Sequence, residues 1–251
     1  MLTFDRMFQS GMVLQRQKPV AVWGKADPGA KILISIQGKS AEAVADADGA
    51  WMTTLPSLEA SEQETLLAKS GDMELALTDV AVGEVWIAGG QSNMEFPICY
   101  EKHWAREKDT RDRNLRFYDV PEVCYDGQEK DFDYSKMGVW RKADSEDDLK
   151  YFSAVAYYFQ KEIAADQKVP VGIVGCNWGG TRSCVWMKKE TVERVGKPWM
   201  DLFAKDTAGV DMEEFWEKQH TNPMNDKGNV NMDPMNAFIL SGTQPWRRSL
   251  K

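Results

Sequence analysis

Alternation of apolar and polar positions dominates the first eighty residues. Val20-Ala21-Val22-Trp23-Gly24 is a short apolar run closed by glycine, and Lys31-Ile32-Leu33-Ile34-Ser35-Ile36 is rich in β-branched residues. Ala50-Trp51-Met52-Thr53-Thr54-Leu55 reads as a further strand, and Glu74-Leu75-Ala76-Leu77-Thr78 alternates as a half-buried strand should. Between these runs, Asp27-Pro28-Gly29 and Asp46-Ala47-Asp48-Gly49 are turns, because proline presets φ and glycine accepts a positive one. Short strands at this spacing predict an antiparallel β-sandwich over residues 1–80.

The pattern changes near Val80. Val82-Gly83-Glu84-Val85-Trp86-Ile87-Ala88 is a largely apolar strand that runs directly into Gly89-Gly90-Gln91-Ser92-Asn93-Met94. Leu149 to Ala165 has helical periodicity, with Phe152, Val155, Ala156, Phe159 and Ile163 on one stripe. A second buried strand, Val169-Pro170-Val171-Gly172-Ile173-Val174, leads into Gly175-Cys176-Asn177-Trp178-Gly179-Gly180-Thr181. Strand, loop, helix, strand, loop predicts a parallel α/β domain over residues 81–251. The charged, poorly periodic stretch from Trp104 to Trp140 reads as surface loops and short strands. Glu190–Val195 and Met212–Gln219 read as short surface helices, and nothing regular is predicted beyond Thr221. Trp23, Trp51 and Trp86 fall in strand patterns and are expected in the core.

Composition narrows the function classes. The 251 residues carry a net charge of -8, which argues against non-specific binding to nucleic acid or anionic membrane. No run of about 18 apolar residues predicts a membrane span. The N-terminus lacks a signal-peptide pattern, so the chain as written is expected in the cytoplasm, or in the periplasm or outside the cell if a leader has been removed. Cys99, Cys124, Cys176 and Cys184 form no CxxC pair, and the histidines are His103 and His220 only. A structural zinc site is not expected, and the thiols are expected to be free.

Ser92 is the main candidate for chemistry. A serine just past a buried strand, on a glycine-softened turn, presents its hydroxyl where ligands of parallel sheets bind. A helix starting there would direct N–H groups at a developing oxyanion, with Gln91 and Asn93 as supporting polar groups. The competing reading is an ordinary helix N-cap. Paired glycines at Gly179-Gly180 suit backbone N–H donation to an oxyanion, or merely a tight turn beside Trp178. Gly175 and Gly180 have the spacing of a phosphate loop, but Thr181-Arg182 replaces the required lysine and hydroxyl pair, which excludes that motif. Neither His103 nor His220 stands in a context that marks a catalytic base. Asp144, Glu146, Asp147 and Asp148 precede a helix and complement its dipole.

The ordered motifs resemble the sialate O-acetylesterases, a family of SGNH-type hydrolases. Gly83-Glu84-Val85-Trp86 followed by Gly90-Gln91-Ser92-Asn93-Met94-Glu95 is similar to that family's nucleophile block. Gly11 to Arg16, Val22-Trp23-Gly24, Asp27-Pro28-Gly29 and Asp48 to Trp51 resemble its leading β-sandwich. Phe152 to Phe159, Val169 to Gly172 and Trp178-Gly179-Gly180-Thr181, with Trp186-Met187 after them, resemble its second block. The resemblance implies an N-terminal antiparallel β-sandwich followed by an SGNH-type, flavodoxin-like parallel α/β domain. It implies Ser92 as nucleophile, the Ser92 N–H with Gly179 or Gly180 as oxyanion hole, an O-acetylated sugar as substrate, and no cofactor. The family's Gln-Gly-Glu-type and Asp-x-x-His blocks do not follow Pro234 to Ile239 here. The expectation is therefore a domain incomplete at its C-terminal end, with weak or absent turnover. The alternative is a non-catalytic sugar-binding protein derived from such an esterase. Oligomeric state stays open.

Overall fold

A computed structural model of the protein describes residues 1–123, 134, 137–181, 186–211 and 214. They fall into two compact units. One is made of Met1–Val120 with Ser135–Asn177, and the other takes the described residues of Pro121–Tyr134 and Trp178–Lys251.

The first unit begins with eight strands: β1 (Leu2–Phe4), β2 (Val13–Gln15), β3 (Val20–Ala26), β4 (Lys31–Ile36), β5 (Lys39–Val44), β6 (Ala50–Leu55), β7 (Ser61–Ser70) and β8 (Met73–Gly90). The antiparallel sheet β1-β3-β6 packs on the antiparallel strands β8-β7-β4-β5. This is the sandwich expected from the period-two runs. Inward positions alternate along β4, where Ile32, Ile34 and Ile36 are buried and Lys31 and Leu33 are exposed. Trp51 closes the core edge-on to Phe4, at 5.9 Å between ring centroids.

Glu74–Thr78 and Val82–Ala88, read separately from sequence, are one strand of 18 residues. Asp79, at φ 53°, kinks it without ending it. Beyond that kink β8 joins a second arrangement. Residues 84–90 pair in parallel with β11 (Val171–Asn177), which pairs in parallel with β9 (Asp112–Asp119). An antiparallel strand, β10 (Trp140–Ala143), borders β9. The unit is thus a β-sandwich followed by a parallel α/β layer, as expected. Glycine at 83 permits the crossing, since a Cβ there would come within 1.8 Å of the Pro170 carbonyl oxygen.

Three sequence expectations need correcting. The stretch from Trp104 to Trp140 was expected to hold loops and short strands, yet it supplies β9, an eight-residue strand inside the parallel layer. Its polar look comes from Arg113, Asn114 and Arg116, and the Arg116 side chain is fully buried. The helix expected over Leu149–Ala165 is split into α3 (Glu146–Leu149) and α4 (Ala154–Gln167), which follow α1 (Ser92–Glu95) and α2 (Trp104–Glu107) in the chain. Ser145 and Ser153 each accept a backbone N–H at their helix starts, from Asp148 and Ala156, and so reset the register. The inward face of α4 is Ala156, Tyr157 and Gln160, whereas Val155 and Phe159 are exposed. Buried Gln160 donates to the carbonyls of Arg116 and Val171, which ties α4 to two strands by polar bonds that no apolar stripe reveals. Finally, Trp86 is not core: it is 44% exposed and meets Phe159 edge-on at 5.2 Å.

Ile87, beside it, is 76% exposed. Among the described residues no strand pairs with 84–90 on the side away from β11, where the Val85 N–H is taken by Gln15 Oε1. An apolar strand edge of this kind invites edge-to-edge pairing. Ile87→Lys is expected to lower self-association in sedimentation velocity at fixed concentration. An unchanged distribution would show that this edge does not drive it.

The second unit contains α5 (Lys189–Val195) and α6 (Lys197–Asp206), the latter opening with Pro198 in its first turn. The helix expected at Met212–Gln219, and everything expected beyond Thr221, lies outside the described residues apart from Glu214. Cys99 and Cys176 are free thiols, while Cys124 and Cys184 lie outside the described residues. No helix among the described residues is long and apolar enough to cross a membrane.

Candidate active site at the carboxyl end of the parallel strands

β8 delivers its chain to the carboxyl edge of the parallel layer, and Gly90 there stands in register with Asn177 of β11. A Cβ on Gly90 would lie 2.8 Å from Met94 Cβ, so glycine is what lets the next residues fold back at once as α1. The N-cap of α1 is Gln91, in extended conformation, and its carbonyl accepts the N–H groups of Met94 and Glu95 at 2.8 and 2.9 Å. Ser92 is therefore the first residue of the helix rather than its cap. Its own carbonyl accepts from Phe96, while its side chain is exposed and does no capping. Gln91 and Asn93 are likewise exposed. A hydroxyl set at the end of a parallel strand and not spent on its own helix is free to meet a ligand.

α1 is held in place from beneath. Met94 receives a hydrogen bond on its sulfur from the Ser153 hydroxyl at 3.6 Å, and the Ala154 N–H donates to the Phe96 carbonyl at 2.9 Å. These contacts join the serine turn to the start of α4, whose Tyr157 is fully buried against Phe152.

Sequence reasoning missed Asp119, the last residue of β9. It is half-buried, and its Oδ1 is enclosed without a hydrogen-bond partner among the described residues. Burial first, then the negative charge of Glu95 on α1, push its carboxyl up to about 7 against the pull of Arg141. Burial and the neighbouring Asp119 also raise the Cys176 thiol. Nothing in the local sequence marks Asp119, because its surroundings depend on strand register.

Gly179 and Gly180 belong to the second unit. They form the turn after β11, with Gly180 at φ 78° and Thr181 closing it by donating its hydroxyl to the Trp178 carbonyl at 2.7 Å. Trp186 Nε1 in turn donates to Thr181 Oγ1 at 3.0 Å. His103 is the N-cap residue of α2, and its backbone N–H donates to Glu101 at 2.7 Å. His220 lies outside the described residues. Of the acidic cluster, Glu146, Asp147 and Asp148 stand in the first turn of α3, whereas Asp144 lies before its N-cap, Ser145.

No protein-family model matches the chain. It is similar to the sialate O-acetylesterase of Mus musculus, with 29% identity over 213 residues that cover 78% of this chain and 39% of that protein. The human sialate O-acetylesterase is 27% identical over 214 residues, covering 78% of this chain and 40% of the relative. Among solved structures it resembles a carbohydrate acetylesterase from Xanthomonas citri, with a TM-score of 0.69 and 35% identity over 76% of this chain and 43% of that one. The chain thus spans about two fifths of the length of the curated relatives it matches. These likenesses bear out the resemblance to sialate O-acetylesterases and the α/β architecture.

Proposed function

We propose, from that likeness, that the chain carries the acyl-accepting serine of a carbohydrate O-acetylesterase. One observation supports this above all others: Ser92 opens α1 at the carboxyl end of a parallel strand, with its hydroxyl exposed and uninvolved in capping. In this reading Ser92 Oγ attacks the acetyl carbonyl of an O-acetylated sugar. The C–O bond to the sugar then breaks, the sugar leaves as an alcohol with the serine proton, and acetyl remains on Ser92. Water next cleaves that ester and releases acetate. The free N–H groups of the first turn of α1 point along the helix axis toward the developing oxyanion.

A base completes such chemistry in serine hydrolases. No hydrogen bond among the described residues links His103 to the serine turn. The expected behaviour is acetylation of Ser92 by the sugar ester. Mixing the chain in excess with an O-acetylated sialic acid, quenching, and mapping peptides by mass spectrometry tests this. The acetyl group is expected on the peptide holding Ser92. Acetate release with the label elsewhere, or no acetyl transfer from any O-acetylated sugar, would sink the reading.

A further inference from the structure

Two enclosed polar atoms at the carboxyl edge of the first unit have no hydrogen-bond partner among the described residues: Asp119 Oδ1 and Asn177 Nδ2. They share one face of the sheet. Asp119 is the register partner of Gly175, and Asn177 lies two residues further along β11. Each atom is 3.1 Å from the point where a Cβ on Gly175 would sit, with the Phe117 ring edge at 2.6 Å from the same point. The two atoms therefore approach each other over the bare backbone of Gly175, where a side chain would collide with Phe117, and they do not bond to each other. Asn177 is only 6% exposed and Asp119 is half-buried, so both groups are largely withdrawn from solvent.

An unmet donor and an unmet acceptor held so close constrain what can fill the gap. A carbonyl oxygen would satisfy the amide but could pair with the carboxyl only in its protonated form. An ammonium would satisfy the carboxyl but accept nothing from the amide. A hydroxyl does both, accepting from Asn177 Nδ2 and donating to Asp119 Oδ1. The raised carboxyl of Asp119 fits a neutral partner of this kind better than a cation, because near neutrality it is without a full charge. The group also lies at the edge that carries Ser92. Glu95, three residues after Ser92 on α1, is close enough for its charge to act on Asp119.

We propose that Asp119 and Asn177 form a subsite for one hydroxyl of the sugar whose ester is presented to Ser92. This rests on the reading of Ser92 as acyl acceptor and adds to it the part of the substrate that is recognised. The sugar hydroxyl bridges the two side chains, and an acetyl ester lacking a polyol gains nothing from them.

The test compares single-turnover acetylation by an O-acetylated sialic acid with that by p-nitrophenyl acetate, which has no hydroxyl. It is run on the native chain, on Asn177→Leu and on Asp119→Asn, which keeps the shape of the side chain and guards against a misfolded leucine variant. The ratio of the sugar-ester rate to the p-nitrophenyl acetate rate is expected to fall about tenfold in Asn177→Leu, the worth of one hydrogen bond, and by less in Asp119→Asn, whose amide oxygen still accepts. A ratio unchanged in both variants, whether the two rates hold or fall together, would mean that the pair only enclose a resident water, and overturns the subsite. If neither ester acetylates the native chain, it is the role of Ser92 that fails. The subsite is then judged by saturation-transfer NMR with free N-acetylneuraminic acid. Transfer to the native chain that is lost in both variants supports it, and transfer that is absent or unaffected overturns it.

Discussion

A Ser92→Ala chain is expected to take up no fluorophosphonate probe, whereas the native chain is labelled to completion. Residue 92 is exposed on the first turn of α1, and its side chain caps nothing. Removing one hydroxyl there should leave the fold intact, with a stability change within about 0.5 kcal/mol, as for surface substitutions generally. A loss of labelling at unchanged melting temperature then isolates the chemistry from the structure. Labelling that persists in the alanine variant would place the reactive group elsewhere.

The largest expected effect on stability is at Asp79. Its carboxylate meets three cations, with Lys142 at 3.0 Å, Arg113 at 3.1 Å and Arg116 at 3.2 Å. Arg116 is the critical partner because its side chain is wholly buried. Its guanidinium donates to the carbonyls of Met12, Glu62, Asp79 and Arg113, and Asp79 supplies the balancing charge. Asp79→Ala strands that charge in the interior, which typically costs about 3–5 kcal/mol. Urea unfolding should show the loss as a lower midpoint at unchanged slope. A change below about 1 kcal/mol would show that the carbonyls alone suffice for Arg116. The pH dependence follows the same charges. Burial works against ionisation of Asp79, but Lys142 and Arg116 outweigh it, so its carboxyl titrates below the ordinary value of 3.8. Its stabilising contribution is complete above that value and is lost as pH falls through the depressed one.

How much of this was readable in advance depended on whether the deciding interactions were local. β4 and β6 were legible because one buried face imposes a period of two on neighbouring residues. Ser92 was legible because an apolar strand, two glycines and a polar turn follow one another directly in the chain. β9 was not, since Arg116 looks like a surface residue until its partners, drawn from positions 12, 62 and 79, are known. The stripe on α4 misled for a related reason. Gln160 faces inward because it finds two strand carbonyls, and Phe159 is left outside with Trp86. Asp119 and Asn177 owe their enclosure to the pairing of β9 with β11, which is a matter of register between distant segments.

The uninterrupted course of β8 has a consequence for modularity. One continuous strand contributes Val80 and Val82 to the first core and Ala88 to the second. No cut along it yields two fragments that each retain a complete sheet. The sandwich cannot be grafted, deleted or melted on its own without taking a rail from beneath the serine. In the urea titration of Asp79→Ala, strand and helix signals should accordingly disappear together, so that damage far from residue 92 is felt there as the loss of its footing.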